Sequence, residues 1–170
     1  MILDLKSKIL LEGLVKFYNK PKNVKIFLEI ISSEQKYAKR IIEWGVSNYS
    51  KKHNIILDKD FNIFYEYKIQ LKSYSKEYFD PFRRKTKTNE KFIFNIGSQK
   101  IDTTIGQLNF FRWTIENNII SFIKKNYLLI KEDMKITQQK KVNTNKRKRL
   151  CNSNFKNSIK EYSNVTLNFN

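Results

Sequence analysis

Lys91-Phe92-Ile93-Phe94-Asn95-Ile96-Gly97-Ser98-Gln99-Lys100-Ile101-Asp102-Thr103-Thr104 is the stretch on which the fold turns. Residues 91–96 are rich in Phe and Ile and read as a strand. Gly97-Ser98-Gln99 reads as a hairpin turn, and residues 100–103 as the strand that pairs back. Thr104-x-x-Gln107 then has the spacing of a capping box, in which two side chains satisfy orphan amides at a helix start. It opens a helix predicted over about 105–125, with Ile105, Leu108, Phe111, Ile115, Ile119 and Phe122 as one apolar stripe.

Upstream, residues 61–71 place an apolar side chain at every odd position, namely Phe61, Ile63, Tyr65, Tyr67, Ile69 and Leu71. That alternation predicts a long strand with one buried face, followed by a polar loop over 73–90. The first half reads as helical. Residues 3–19 carry Leu3, Leu10, Leu14 and Phe17 near one face. Asn19-Lys20-Pro21 breaks that helix, and Pro21 suits the first turn of a second one over about 21–31. Ser32-x-x-Gln35 has capping-box spacing for a third, whose face is Ala38, Ile41, Ile42, Val46 and Tyr49. The expected class is α+β: N-terminal helices, a small antiparallel sheet containing a hairpin, one long capped amphipathic helix, and a basic C-terminal arm.

Composition bounds the function. The 170 residues include 34 Lys and Arg against 16 Asp and Glu, for a net charge of +18. Part of the excess reflects codon use, because Lys, Ile and Asn, all encoded by AT-rich codons, make up 69 of the 170 residues. Codon bias does not explain clustering. Residues 135–170 hold nine basic residues against Glu161 alone, a net of +8. The expected organisation is a globular domain over 1–134, a basic arm over 135–160 and a short terminal strand over 161–170 that returns to the sheet. Residues 137–154, poor in apolar side chains, read as an exposed linker. No apolar run approaches the roughly 18 residues of a membrane-spanning helix, and the N-terminus lacks the order of a secretory signal.

Three blocks resemble a known family. They are Asn48-Tyr49-Ser50-Lys51-Lys52-His53-Asn54-Ile55-Ile56, Phe79-Asp80-Pro81-Phe82-Arg83-Arg84, and Thr103-Thr104-Ile105-Gly106-Gln107-Leu108-Asn109-Phe110-Phe111-Arg112-Trp113-Thr114-Ile115-Glu116-Asn117. The blocks, their spacing and the basic tail are similar to an uncharacterised protein family of nucleocytoplasmic large DNA viruses, including the giant amoeba viruses. The resemblance implies a viral source and an AT-rich genome. It brings no activity and no catalytic residues.

The residues argue against catalysis. One His and one Cys cannot build a four-ligand zinc site, and no disulfide framework is available. His53 sits in a polar stretch, and Cys151 has no partner base. Asp58 and Asp60 flank Lys59 as turn residues do, although on a strand they would share a face as metal-dependent nucleases require. The four glycines are isolated, so no phosphate-cradling loop is present. No cofactor, metal or small-molecule substrate is expected.

Polyanion binding is expected instead. Lys140, Lys141, Lys146, Arg147, Lys148 and Arg149 suit a nuclear localisation signal or a phosphate-contacting arm. Arg83, Arg84 and Lys85 stand beside Tyr78, Phe79 and Phe82, a pairing of cations and rings that suits nucleic acid. Arg112 is a candidate for a phosphate contact or for an ion pair with Glu116. The expected function is a non-enzymatic viral protein that binds DNA or RNA backbone in transcription, replication or packaging. It would act in the host cytoplasm, in the nucleus or in the virion. The alternative is a protein–protein module docking on another viral protein, its charge largely genomic bias.

Overall fold

The computed structural model describes residues 4–32, 38–82, 84, 90–96 and 99–140. Helix α1 (Leu5–Tyr18) is capped by Asp4, whose carboxylate accepts from the Ser7 amide at 3.0 Å. The Tyr78 hydroxyl donates to the same carboxylate at 3.3 Å and accepts from the Ser7 hydroxyl at 3.3 Å. The Ser7 hydrogen bonds foremost hold the Asp4 carboxyl below its usual range. Helix α2 (Pro21–Ser32) starts at the expected proline. Ser32 ends α2, its hydroxyl donating to the Leu28 carbonyl at 2.6 Å, and Gln35 lies outside the described residues. Helix α3 (Ala38–Trp44) runs through a π-helical turn (Gly45–Tyr49) into α4 (Ser50–His53). A Cβ on Gly45 would stand 3.2 Å from Ile123 Cδ1, so only a glycine leaves that side chain its place.

The alternating stretch is not a strand. β1 (Ile56–Leu57) and β2 (Phe61–Asn62) form a minimal antiparallel pair, after which the chain turns into helix α5 (Ile63–Tyr78). Two periods coincide here. Ile63, Tyr67 and Leu71 are odd-numbered and also spaced by four, so they satisfy strand and helix alike. Burial decides between them: Tyr65 is 64% exposed and Ile69 53%, whereas Ile63 is fully buried. The Asn62 side chain caps α5 by accepting from the amides of Phe64 and Tyr65, both at 3.1 Å. The loop expected from residue 73 is helical to Tyr78, kinked at Ser75 (φ 61°).

The hairpin forms as read. β3 (Phe92–Ile96) pairs with β4 (Gln99–Thr103), Phe92 opposite Thr103 and Ile96 opposite Gln99. Two separate two-stranded sheets among helices make the chain α+β.

Thr104 caps α6 (Ile105–Glu116), accepting from the Gln107 amide at 3.2 Å. The predicted helix over 105–125 breaks after α6. Asn117 hydrogen-bonds back to the Trp113 carbonyl, Asn118 takes the left-handed conformation (φ 54°), and α7 (Ile119–Lys125) restarts. Asparagine tolerates that conformation better than other residues with a Cβ. Residues 127–140 are helical, so residues 137–140, expected as linker, continue that helix. The chain divides into two compact units, Met1–Glu132 and Asp133–Asn170, and of the second only residues 133–140 are described. The expected terminal strand over 161–170 lies outside the described residues. No helix among the described residues is long and apolar enough to cross a membrane.

Helix α6 is the centre of the first unit and packs against α1, α2, α5 and α7. The sequence suggested one apolar stripe, yet residues 105–111 and 113–115 are all buried. Phe111 meets Phe27 (ring centroids 5.8 Å apart), which meets Tyr18 (4.8 Å). On the other side Phe110 and Trp113 meet Phe79 at 5.2 and 5.5 Å.

Two substitutions in α5 separate helix from strand. Ile69→Lys on the exposed face should change stability by no more than about 0.5 kcal/mol. Asn62→Ala should lower it by about 1 kcal/mol through loss of the cap. Urea denaturation measures both. A strand with Ile69 in its buried face would give the larger loss to Ile69→Lys.

Candidate nucleic-acid interface

The second and third family-like blocks meet in space. The Asp80 amide donates to the Gly106 carbonyl at 3.1 Å. The Gln107 side-chain amide donates to the Pro81 carbonyl at 2.8 Å, while its oxygen accepts from the Thr103 hydroxyl at 2.9 Å. The Asn109 amide donates to the Tyr78 carbonyl at 2.9 Å. Gln107 therefore does not close the capping box by reaching back to Thr104. Buried side-chain donors need acceptors, and here the acceptors for the Gln107 and Asn109 NH2 groups are backbone carbonyls of residues 78–81. Phe79, fully buried, completes the latch.

That latch fixes where Arg84 can be. Its guanidinium makes a two-pronged contact with Asp80, Nε to Oδ2 at 2.9 Å and Nη2 to Oδ1 at 3.0 Å, and lies 5.2 Å from the Phe82 ring centre. The Asp80 hydrogen bond raises the Arg84 pKa above its usual value. A phosphate at Arg84 must compete with that carboxylate. The adjoining cleft, about 300 Å³, is lined by Glu43, Glu77 and Asp80 against Lys76 and Arg84. Its acids outnumber its bases, which disfavours a polyanion. Tyr67 lines the same cleft. Burial, with the Glu43 and Asp80 charges beside it, pushes its hydroxyl up to about 12.

Arg112 turns inward. Its side chain is 22% exposed, its Nε stands 3.8 Å from Glu116 Oε2, and Gly13 of α1 lies beside its guanidinium. Of the two sequence readings, the ion pair with Glu116 describes this placement. Lys140 is exposed at the end of the last described helix. Arg83, Lys85, Lys141, Lys146, Arg147, Lys148, Arg149 and Cys151 lie outside the described residues. His53 is exposed, with its ring 4.3 Å from that of Tyr49. Asp58 and Asp60 form a 3₁₀ turn, and no group of three potential metal ligands occurs among the described residues.

A basic groove that the sequence reading missed lies between the α1–α2 turn and the α6–α7 junction. It measures about 410 Å³ and carries Lys20, Lys22 and Lys124 at its rim. Lys124 is held by Glu29 at 2.9 Å. Lys20 and Lys22 are exposed and make no ion pair among the described residues. Both segments are breaks between helices, and breaks are where polar residues and backbone come to the surface. That was the available signal; the pairing of the two breaks across the fold was not readable.

Residues 3–169 match a family of unknown function, DUF7197, and the chain belongs to that family. Over 147 residues it is 40% identical to a relative described as uncharacterized protein L507 of Acanthamoeba polyphaga mimivirus. The match covers 81% of this chain and 56% of the relative, so the chain spans about half the length of that relative. The resemblance to a family of large DNA viruses is thereby borne out. No solved structure matches.

Gln107→Leu should cost roughly 2–4 kcal/mol in urea denaturation, because the buried Pro81 carbonyl and Thr103 hydroxyl both lose their partner. In an ultraviolet pH titration Tyr67 should ionise near 12, above the ordinary tyrosine value of 10.0. The unfolded phenol ionises near 10, so stability from Tyr67 is full below that pH and is lost as pH rises toward 12. Tyr67→Phe should remove that part of the alkaline loss.

Proposed function

We propose that this DUF7197 member is a non-enzymatic, nucleic-acid-associated viral protein that holds DNA or RNA through its phosphates. The observation that carries the reading is the distribution of the +18 charge, of which +8 lies in residues 135–170 beside a single acid. Charge of that density serves no core. It gains binding free energy by displacing counterions from a polyanion, without reading sequence. The arrangement of the folded unit agrees. Arg84 and Arg112 are engaged by Asp80 and Glu116, whereas Lys20 and Lys22 face solvent. Exposed lysines are point charges that suit undirected phosphate contacts. Binding of this kind serves transcription, replication or packaging of a viral genome, in the host cytoplasm, the nucleus or the virion.

One observation favours a second reading, docking on another viral protein. Leu5, Ile9 and Val15 of α1 are exposed apolar side chains. Isolated exposed apolar residues are common on any protein surface, so this reading ranks second.

The full chain should bind duplex DNA with log K falling linearly against log salt. Replacing Lys146, Arg147, Lys148 and Arg149 together by Gln should flatten that slope by about 3.6, at about 0.9 for each lost phosphate contact. Fluorescence anisotropy across a salt series measures both. Salt-independent binding or no binding overturns the reading. Nuclease-resistant recovery of one stoichiometric viral protein, lost on Ile9→Asp, replaces it with the second.

A further inference from the structure

We propose that the groove between the α1–α2 turn and the α6–α7 junction takes one unpaired nucleotide of a single strand. This rests on the nucleic-acid reading and adds a place and a strand preference to it. The groove is amphipathic in depth. Its rim carries the exposed ammonium groups of Lys20 and Lys22, while half-buried Phe17 and Ile26 and the buried Ile115 and Ile120 lie among its lining. Three small polar side chains, Asn23, Asn118 and Ser121, complete the wall.

Each part matches one part of a nucleotide. Two cations separated by a single residue suit phosphates. An apolar surface containing a phenyl ring suits a base face, which stacks on aromatic side chains whatever the base. Amides and a hydroxyl suit base edges, because they donate and accept. The volume falls in the range of small-ligand sites. Glu116 also lines the groove, but its charge is shared with Arg112 at 3.8 Å. Glu29 is likewise engaged by Lys124, whose hydrogen bond holds the Glu29 carboxyl below its usual range.

The geometry discriminates between strands. A duplex keeps its bases stacked and paired, so it can touch only the lysine rim unless a base is flipped out at a cost. A single strand presents its bases free. The cleft beside Arg84 offers no equivalent, since its acids outnumber its bases and its arginine is already paired.

The backbone of the groove is built for a fixed shape. The Asn23 side chain donates to the Phe17 carbonyl at 3.0 Å, which locks the α1–α2 turn. Asn118 holds its left-handed conformation at the opposite wall.

The experiment uses the full chain, a fluorescent oligothymidine, a duplex of the same length, and a Lys20→Gln/Lys22→Gln double variant. Both lysines are exposed, so an unchanged thermal transition confirms that the variant folds. Anisotropy should show about tenfold tighter binding to the single strand. The double variant should weaken single-strand binding and lower its salt slope by about 1.4, at about 0.7 for each phosphate contact, whereas Phe17→Leu should remove the strand preference and leave the slope unchanged. A 5-iodouracil oligonucleotide should photo-crosslink to the peptide containing Phe17. Equal, salt-dependent binding of both nucleic acids that the double variant leaves untouched overturns the groove and leaves general phosphate binding standing. Absence of salt-dependent binding overturns both. Tight, variant-sensitive binding of free thymidine monophosphate overturns the strand in favour of a free nucleotide.

Discussion

A helix buried on nearly every side has to place its polar groups against protein rather than water, and α6 is such a helix. Water cannot satisfy Gln107, Asn109 or Thr114, so protein must. Thr114 solves this locally, donating to the Phe111 carbonyl at 2.9 Å. The side-chain NH2 groups of Gln107 and Asn109 are satisfied at long range, on the carbonyls of Pro81 and Tyr78, while the buried Asn109 Oδ1 has no hydrogen-bond partner among the described residues. An exposed carbonyl would satisfy neither side of that exchange. The segment after α5 is therefore pulled onto α6, Phe79 is driven into the aromatic core, and Tyr78 is set where its hydroxyl reaches Asp4 and Ser7. The start of α1, the end of α5 and the hairpin strand carrying Thr103 are thus all tied to one helix by hydrogen bonds whose loss would strand a buried group.

This dependence explains which parts of the fold were legible. The hairpin, the starts of α2 and α6 and the α1–α2 break are set by residues within a few positions of one another, and local signals found them. The misread stretch over 61–71 failed for a definite reason. Ile63, Tyr67 and Leu71 fit both periods, and the tie is broken by the Asn62 cap and by what packs against α5, chiefly Phe79 and Trp113 reached through Tyr67. The break at Asn117–Asn118 was written in the sequence as a pair of asparagines, but an unbroken apolar stripe outweighed it. The partner of Gln107 lies 26 residues away and could not be read from any window.

The candidate residues divide along the same line. An arginine with an acid four residues away finds that acid first, as Arg84 finds Asp80 and Arg112 finds Glu116. Arg84 read as a free cation beside aromatics, and for Arg112 the pair with Glu116 was one of two readings; the fold holds the first on a surface turn and the second against α1. The lysines of the α1–α2 turn carry no motif, stand 94 or more residues from the α6–α7 junction, and became visible only when the two breaks met. Electrostatic character was legible from composition; its address was not.

The two proposed modes of binding reinforce one another through their chain connection. In the proposed function the nine cations of residues 135–170 would supply many phosphate contacts that read no sequence. A groove with two exposed lysines forms few contacts and gains little affinity alone. Because both belong to one chain, binding a strand at residues 135–170 would make its engagement of the groove intramolecular, at a raised effective concentration. Shape selection by a weak groove then matters, since the tail supplies affinity that does not distinguish strands and the groove supplies the difference that does. Raising salt weakens the tail's larger share first and leaves the stacking part of the groove in place. Total affinity should therefore fall with salt while the stacking part of the strand preference survives, so that single-strand binding levels off at high salt above what phosphate contacts alone would leave.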